Sequence, residues 1–264
     1  MRRIAFINEK GGTCKTTLCV NVAARLAARG RRVLLADMDT QGHAAKSLGV
    51  DPRSLAPTIH DWLVGAASFA AVVRPTAVPG LDLLPANKEL AAFPVAVAGA
   101  PDRAAILRAR LDELPEGAYD AVLVDSPPSR SLVTDNILVA ARELVVPVAL
   151  TYLALDGCAE IMDSLARLRA ERGEAPKVTL IVPALYRKTQ LADEILAKLR
   201  QRFPDELSAN VLGWSVKVDE AQSHGLTVFE YAPSCSGAHA LSALADELLA
   251  RDPAQTVPGA AAAT

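Results

Sequence analysis

The sequence predicts one doubly wound α/β domain, a single mostly parallel sheet flanked by helices on both faces. Three observations predict it. Short β-rich runs alternate with longer helical ones along most of the 264 residues. Most strand runs are apolar throughout rather than alternating, as expected of parallel strands covered on both faces. No internal repeat and no linker rich in Pro, Gly or Ser divides the chain, so residues 1–250 read as one domain. Residues 251–264, with Pro253, Pro258 and an alanine run, read as a disordered tail.

Each element follows from a local pattern. Ile4 to Asn8 reads as the first buried strand. Thr16 to Arg29 reads as a helix, because Leu18, Val22 and Leu26 fall one turn apart and Gly30 supplies the stop. Val33–Ala36, Leu81–Leu84, Ala121–Val124, Leu144–Val148 and Val178–Val182 repeat the apolar strand pattern. Arg103–Leu114, Cys158–Arg172 and Leu191–Phe203 are helical stretches between or after them. The last helix, Ala238–Leu249, carries Leu241, Leu244, Ala245, Leu248 and Leu249 on one stripe.

Composition excludes several classes. With 51% hydrophobic residues the chain can bury a core without a disulfide or metal staple, and overall disorder is excluded. Aromatics are only 4%, so that core is aliphatic. A net charge of -2 argues against a histone-like protein but permits a local basic patch. Cys14, Cys19, Cys158 and Cys235 form no CxxC pair, which argues against zinc and fits a reducing cytosol. The N-terminus lacks a signal-type stretch, and Leu90–Ala100 is short and broken by Pro94, so no membrane span is expected.

The strongest motif is Lys10-Gly11-Gly12-Thr13-Cys14-Lys15-Thr16-Thr17, between the first strand and the first helix. That is the context of a phosphate-binding loop. Glycines let the backbone turn its N–H groups toward phosphate oxygens, and the helix N-terminus adds positive partial charge. Lys15 is placed to reach the β- and γ-phosphates, and Thr16 to set its hydroxyl on Mg²⁺. Asp125 ends an apolar strand at its carboxyl end, where open α/β sheets bind ligands, and is placed to hold Mg²⁺.

The loop departs from the ordinary GxxxxGK(S/T) spacing, because an extra lysine, Lys10, opens it. This is the deviant Walker A pattern, and here the chain resembles the ParA/MinD family of P-loop ATPases, more narrowly its ParA/Soj partition ATPases. The resemblance covers roughly residues 2–250. Arg32 to Ala44 resembles the family segment VLLxDxDPQGNA, and Pro79 to Asn87 is a further family-like stretch. Tyr119 to Ser129 resembles its Walker B element, and Val216 to Gly225 its C-terminal motif NVRLSEAPSHG. The resemblance implies Mg²⁺-dependent ATP hydrolysis, with Asp39 positioning or activating the attacking water. Asp37, two residues earlier at the strand end, reads equally as a support of the Mg²⁺ site or as a helix-cap or turn residue. The resemblance further implies that Lys10 reaches across a nucleotide-sandwich homodimer to the partner's ATP, and that Asp156 stands where the family has Glu.

The resemblance also implies non-specific DNA binding through basic residues. Arg187 and Lys188 precede Thr189-Gln190-Leu191, resembling the family's RRTNL, and Lys217 matches the arginine of NVRLSE. Residues 165–202 hold nine Lys or Arg against four Asp or Glu. The implied cycle is ATP-dependent dimerisation, binding to nucleoid DNA in the cytoplasm, and release when a ParB-like or cargo-adaptor partner stimulates hydrolysis. The N-terminus leaves no room for a helix-turn-helix domain before the loop. The alternative is a MinD-like membrane-positioning ATPase. It needs a basic amphipathic C-terminal helix, whereas residues 203–264 hold eight acids and two bases. An electron carrier of the nitrogenase-reductase type needs cluster-ligating cysteines, and buried structural thiols are the better account of Cys158 and Cys235.

The departures carry expectations of their own. Cys14 stands where the family has Gly. It reads first as a tolerated small residue, strained if the position needs φ > 0, and second as a thiol of lowered pKa beside Lys15. Thr40 and His43 replace Pro and Asn, and Trp214 and Gln222 replace Arg and Pro.

Overall fold

The computed structural model describes residues 1–252, so the expected tail lies outside the described residues except for Arg251 and Asp252. Eight strands form one sheet: β1 Arg2–Phe6, β2 Val33–Asp37, β3 Arg74–Pro75, β4 Leu81–Leu84, β5 Ala121–Asp125, β6 Glu143–Ala149, β7 Lys177–Tyr186 and β8 Leu212–Gly213. Their order is β3-β4-β2-β5-β1-β6-β7-β8. Every pairing is parallel except that of the two-residue edge strand β3 with β4.

Twelve α-helical segments accompany the sheet. The long ones are α1 Lys15–Ala28, α6 Ile106–Asp112, α7 Leu132–Ala140, α8 Ala154–Arg172, α9 Gln190–Arg202, α10 Val216–Ser223 and α12 Ser236–Ala250. The short ones are α2 His43–Ser47, α3 Ile59–Val64, α4 Phe69–Val72, α5 Phe93–Ala96 and α11 Val228–Tyr231.

Alternation along each strand divides the interior into two aliphatic cores. In β1, Ala5 faces one core while Ile4 and Phe6 face the other. In β2, Leu34 and Ala36 oppose Val33 and Leu35 in the same way. The first core includes α6, α7, α8 and α9, and the second α1, α10 and α12. Truncating a fully buried leucine such as Leu34 or Leu241 to alanine costs about 2–5 kcal/mol in such a core.

All six expected strands and all five expected helices are present, with shifted ends. The first strand stops at Phe6, because Asn8 turns out of the sheet. Its Nδ2 donates to the Pro147 carbonyl and its Oδ1 accepts the Lys10 N–H, which starts the loop. β7 runs on to Tyr186, because β6 and β8 pair with it on either side. The helix expected at 103–114 shortens to Ile106–Asp112, where the Asn136 side chain accepts the Leu107 N–H. Arg251 is well held: its guanidinium donates to the carbonyls of Thr179, Asp205 and Leu207 and to Glu247.

Sheet order positions the site. β1 and β2 are joined through α1 but are not neighbours, because β5 lies between them. The carboxyl ends of β1, β2 and β5 therefore open side by side, with Asp125 in register with both Phe6 and Asp37.

Candidate functional site

The loop from β1 to α1 is shaped by left-handed residues. Gly12 has φ 70° and Cys14 has φ 67°. Such reversals turn successive N–H groups to one side and form an anion-binding concavity. Cys14 is the N-cap of α1 but supplies no side-chain cap, which leaves the first-turn amides for a ligand. Lys15 is buried, and its Nζ donates to the Lys10 carbonyl at 2.9 Å, across the concavity. Burial lowers its pKa, while Asp125 and Asp39 act to raise it.

Cys14 settles one of the two sequence readings. Burial and Asp219 push its thiol up to about 11, against the smaller pull of Lys15. It is therefore a tolerated small residue in a glycine-like conformation, and the lowered-pKa reading is corrected.

The carboxylates have separate tasks. Thr16 Oγ1 donates to Asp125 Oδ2 at 2.6 Å. Asp125 Oδ1 is buried without a hydrogen-bond partner, as is the neighbouring Ser126 Oγ. Burial, with Asp39 adding to it, raises the Asp125 pKa to about 7, against the opposing Thr16 hydrogen bond. A hydroxyl, a carboxylate and an orphaned carboxylate oxygen beside a phosphate-type loop fit Mg²⁺, which takes one or two carboxylates and fills its shell with phosphate oxygens and water. Among the described residues no group of three or more His, Cys, Asp or Glu could hold a metal, so an all-protein cage is not the arrangement.

Asp37, which reads in the sequence either as a support of the Mg²⁺ site or as a cap or turn residue, uses both oxygens on the backbone. Oδ1 accepts the Asp39 N–H at 3.0 Å, and Oδ2 accepts the N–H groups of Ala44 and Ala45 at the start of α2. It holds the segment that carries Asp39 rather than facing the loop. Asp39 accepts the Gln41 N–H on Oδ1 at 2.9 Å, and its Oδ2 lies 3.9 Å from His43 Nδ1.

The loop residues from Gly11 to Thr17, with Asp39 and Ser126, line an open cleft of about 520 Å³, and Asp125 joins it through its hydrogen bond from Thr16. Sequence reasoning gave no role to Ser126, Lys46 or Ser223, which also line it. The role of Gln222 was likewise not read. Its Nε2 donates to Thr17 Oγ1 at 3.0 Å and ties the C-terminal motif to the loop helix. Only the adjacency of the two motifs in space could have revealed it.

Lys10 behaves differently from Lys15. Its Nζ donates outward to the Leu153 carbonyl at 2.7 Å, at an exposed position before α8. Gly157 makes room for it, since a Cβ there would lie 3.2 Å from Asn8 Oδ1 and 3.5 Å from Lys10 Cδ. Asp156 is exposed in the first turn of α8, where a carboxylate complements the helix dipole.

The expected DNA residues lie away from the cleft, at the carboxyl end of β7 and the start of α10. Arg187 stacks over the Trp214 ring at 4.3 Å. Lys188 is exposed beside it. Lys217 is engaged by Glu220 at 2.7 Å. The basic stretch 165–202 is not one patch. β7 is ten residues long and holds Lys177 and Arg187 about 30 Å apart, and Arg172 pairs with Asp102 at the opposite end.

A phosphate loop on a parallel sheet, a buried lysine and a Thr–Asp pair define a P-loop nucleotide-binding protein. Residues 1–178 match the AAA domain family. The chain is 41% identical to the chromosome-partitioning ATPase Soj of Thermus thermophilus, over 95% of this chain and 96% of that one. It is 35% identical to the cell division protein PomZ of Myxococcus xanthus, over 95% of this chain and 78% of that one. Among solved structures, cobyrinic acid a,c-diamide synthase from Mycobacterium smegmatis with bound ATP analogue and magnesium superposes with a TM-score of 0.82. That pair is 30% identical, over 94% of each chain. The chain belongs to the ParA/Soj/MinD family of deviant Walker A P-loop ATPases. It is a Mg²⁺-dependent ATPase of the partition and positioning type.

Proposed function

We propose that ATP closes this chain into a homodimer and that the dimer binds duplex DNA without sequence preference. Hydrolysis, stimulated by a ParB-like or cargo-adaptor partner, releases it. The cycle runs in the cytoplasm on the nucleoid and positions a replicon or another cargo.

One observation carries the reading: the two loop lysines point differently. Lys15 is buried in the concavity, whereas Lys10 reaches out to the rim at Leu153. A cation at the rim is available to phosphates held by a facing copy. It gains most from the γ-phosphate charge, so dimerisation follows nucleotide state.

Within each subunit the loop amides and Lys15 hold and neutralise the phosphates. Thr16 and Asp125 would hold Mg²⁺, which supplies further charge neutralisation at the transferred phosphoryl group. Asp39 presents its Oδ2 to the cleft, with Oδ1 fixed by the Gln41 N–H, and can orient a water for in-line attack. Dimerisation doubles the exposed Arg187 and Lys188, and phosphate neutralisation strengthens steeply with the number of cations.

A MinD-like membrane role has less behind it. Leu241, Leu244 and Leu248 of α12 are buried in the core shared with α1.

The test is binding of the Asp39→Ala chain to non-specific duplex DNA and to anionic vesicles, with ATP and with ADP. Salt-sensitive DNA binding only with ATP, weakened by Lys188→Ala, is the expected result. Vesicle binding without DNA binding contradicts it.

A further inference from the structure

We propose that Trp214 is a base-stacking platform and that this chain binds single-stranded DNA through it, in addition to duplex DNA. The inference rests on the nucleic-acid reading above and goes beyond it.

Trp214 lies on the surface with 47% of its area exposed, just after the edge strand β8. An aliphatic protein with two tryptophans has placed one in the core and the other in water. Trp62 is 3% exposed and packs against Phe69. Trp214 packs instead under a guanidinium, with Arg187 Cζ 4.3 Å from its ring centroid. Its backbone N–H donates to the Tyr186 carbonyl at 3.1 Å, so the main chain that carries the ring is tied to β7.

The two cations that directly follow β7 are open to a ligand. Arg187 and Lys188 are exposed and join none of the ion pairs among the described residues. Lys217 follows on α10, engaged by Glu220 and 5.7 Å from the Tyr231 ring. Of the acids nearby, Asp193, Glu194, Asp219 and Glu220, only Glu220 joins an ion pair among the described residues. Asp193 accepts from the Tyr186 hydroxyl, Glu194 accepts from Gln190, and Glu220 accepts from Lys217 and Tyr231.

An indole held by an arginine and flanked by cations is the arrangement that single strands use. Phosphate contacts need only the cations, since the duplex presents its backbone and groove edges while base faces are covered by their neighbours. A ring face gains by stacking only on a base whose face is free. We take the exposed part of the ring as the face for that base, with the Arg187 guanidinium setting a positive charge near the next phosphate.

The experiment uses the full chain with ATP and Mg²⁺, a thymidine oligonucleotide and a duplex of equal length, at fixed salt. Because Trp62 is buried, a change in tryptophan emission on binding reports Trp214. The single strand is expected to quench it. Trp214→Ala is expected to weaken single-strand binding roughly 5- to 100-fold, with duplex affinity changing far less. Trp214→Phe is expected to restore most of the single-strand affinity. Equal loss for both DNAs, no loss, or no quenching overturns the stacking platform while leaving duplex binding standing. Failure to bind either DNA overturns both readings.

Discussion

Cys14 shows how one residue can be both strained and retained. Its φ of 67° lies where a Cβ meets the following carbonyl, at about 1–2 kcal/mol for an ordinary residue. Glycine removes that strain but loses more chain entropy on folding, by roughly 0.5–1 kcal/mol. Cys14→Gly is therefore expected to stabilise the nucleotide-free protein by about 0.5–1 kcal/mol, a rise of a few degrees in Tm. A calorimetric scan checks it, and an unchanged or lower Tm contradicts it. Asp125 carries a larger consequence. Burial holds its folded pKa at about 7, above the ordinary carboxyl value of 3.8. Between those values the native state binds the extra proton, so stability falls as pH rises from about 4 to 7. Denaturant titrations at pH 5 and pH 7.5, without nucleotide or Mg²⁺, are expected to show that loss and a flatter profile for Asp125→Asn. Equal slopes in the two proteins would contradict the assignment. Mg²⁺ needs the ionised form, so its affinity is expected to rise through the same window.

At the scale of elements, the last helix is stapled to the edge of the sheet by Glu247. Its carboxylate accepts from Ser208 Oγ, Asn210 Nδ2, the Ala209 N–H and Arg251. Burial acts against the charge, but these donors hold the carboxyl below its ordinary value. Its stabilising effect is present above the ordinary glutamate pKa and is lost as pH falls through the lowered one. Glu247→Gln is expected to cost about 1–2 kcal/mol at pH 7, and less as pH falls below the ordinary glutamate value, measured by urea unfolding. A pH-independent difference would point to packing instead.

The elements also explain what was legible in the sequence. The loop residues Lys10 to Thr17 were readable because their chemistry is local, set by glycines and a strand-to-helix change. Asp125 was readable because it ends an apolar strand. The insertion of β5 between β1 and β2 was not, since no local pattern records which strands are neighbours. That insertion sets Asp125 beside Asp37 at the carboxyl end of the sheet. The small helices α2 to α5 are four to six residues long, too short for periodicity to register. The charge excess in 165–202 was real, but β7 runs through it and separates its cations.

At the scale of the whole molecule, the carboxyl end of the sheet carries both the nucleotide cleft and, further along, the Arg187–Trp214 edge. The rim around Lys10 has the character of a covered surface. Tyr152 is 84% exposed and Leu153 50%, an apolar pair beside the lysine. A second copy seated there would bury them and take Lys10 from the Leu153 carbonyl to a phosphate. The Arg187–Trp214 edge proposed to bind DNA, repeated by a two-fold axis, would then act as one longer surface whose occupancy follows the nucleotide.

In the proposed cycle Lys10 acts on the partner's nucleotide, so the ATP dimer depends on it. The direct measurement is the light-scattering mass of Asp39→Ala with ATP and with ADP, alone and combined with Lys10→Ala. Twice the monomer mass is expected with ATP only, and a monomer with either nucleotide once Lys10 is removed while ATP binding persists. A dimer that forms as readily without Lys10, or a monomer under every condition, would contradict it.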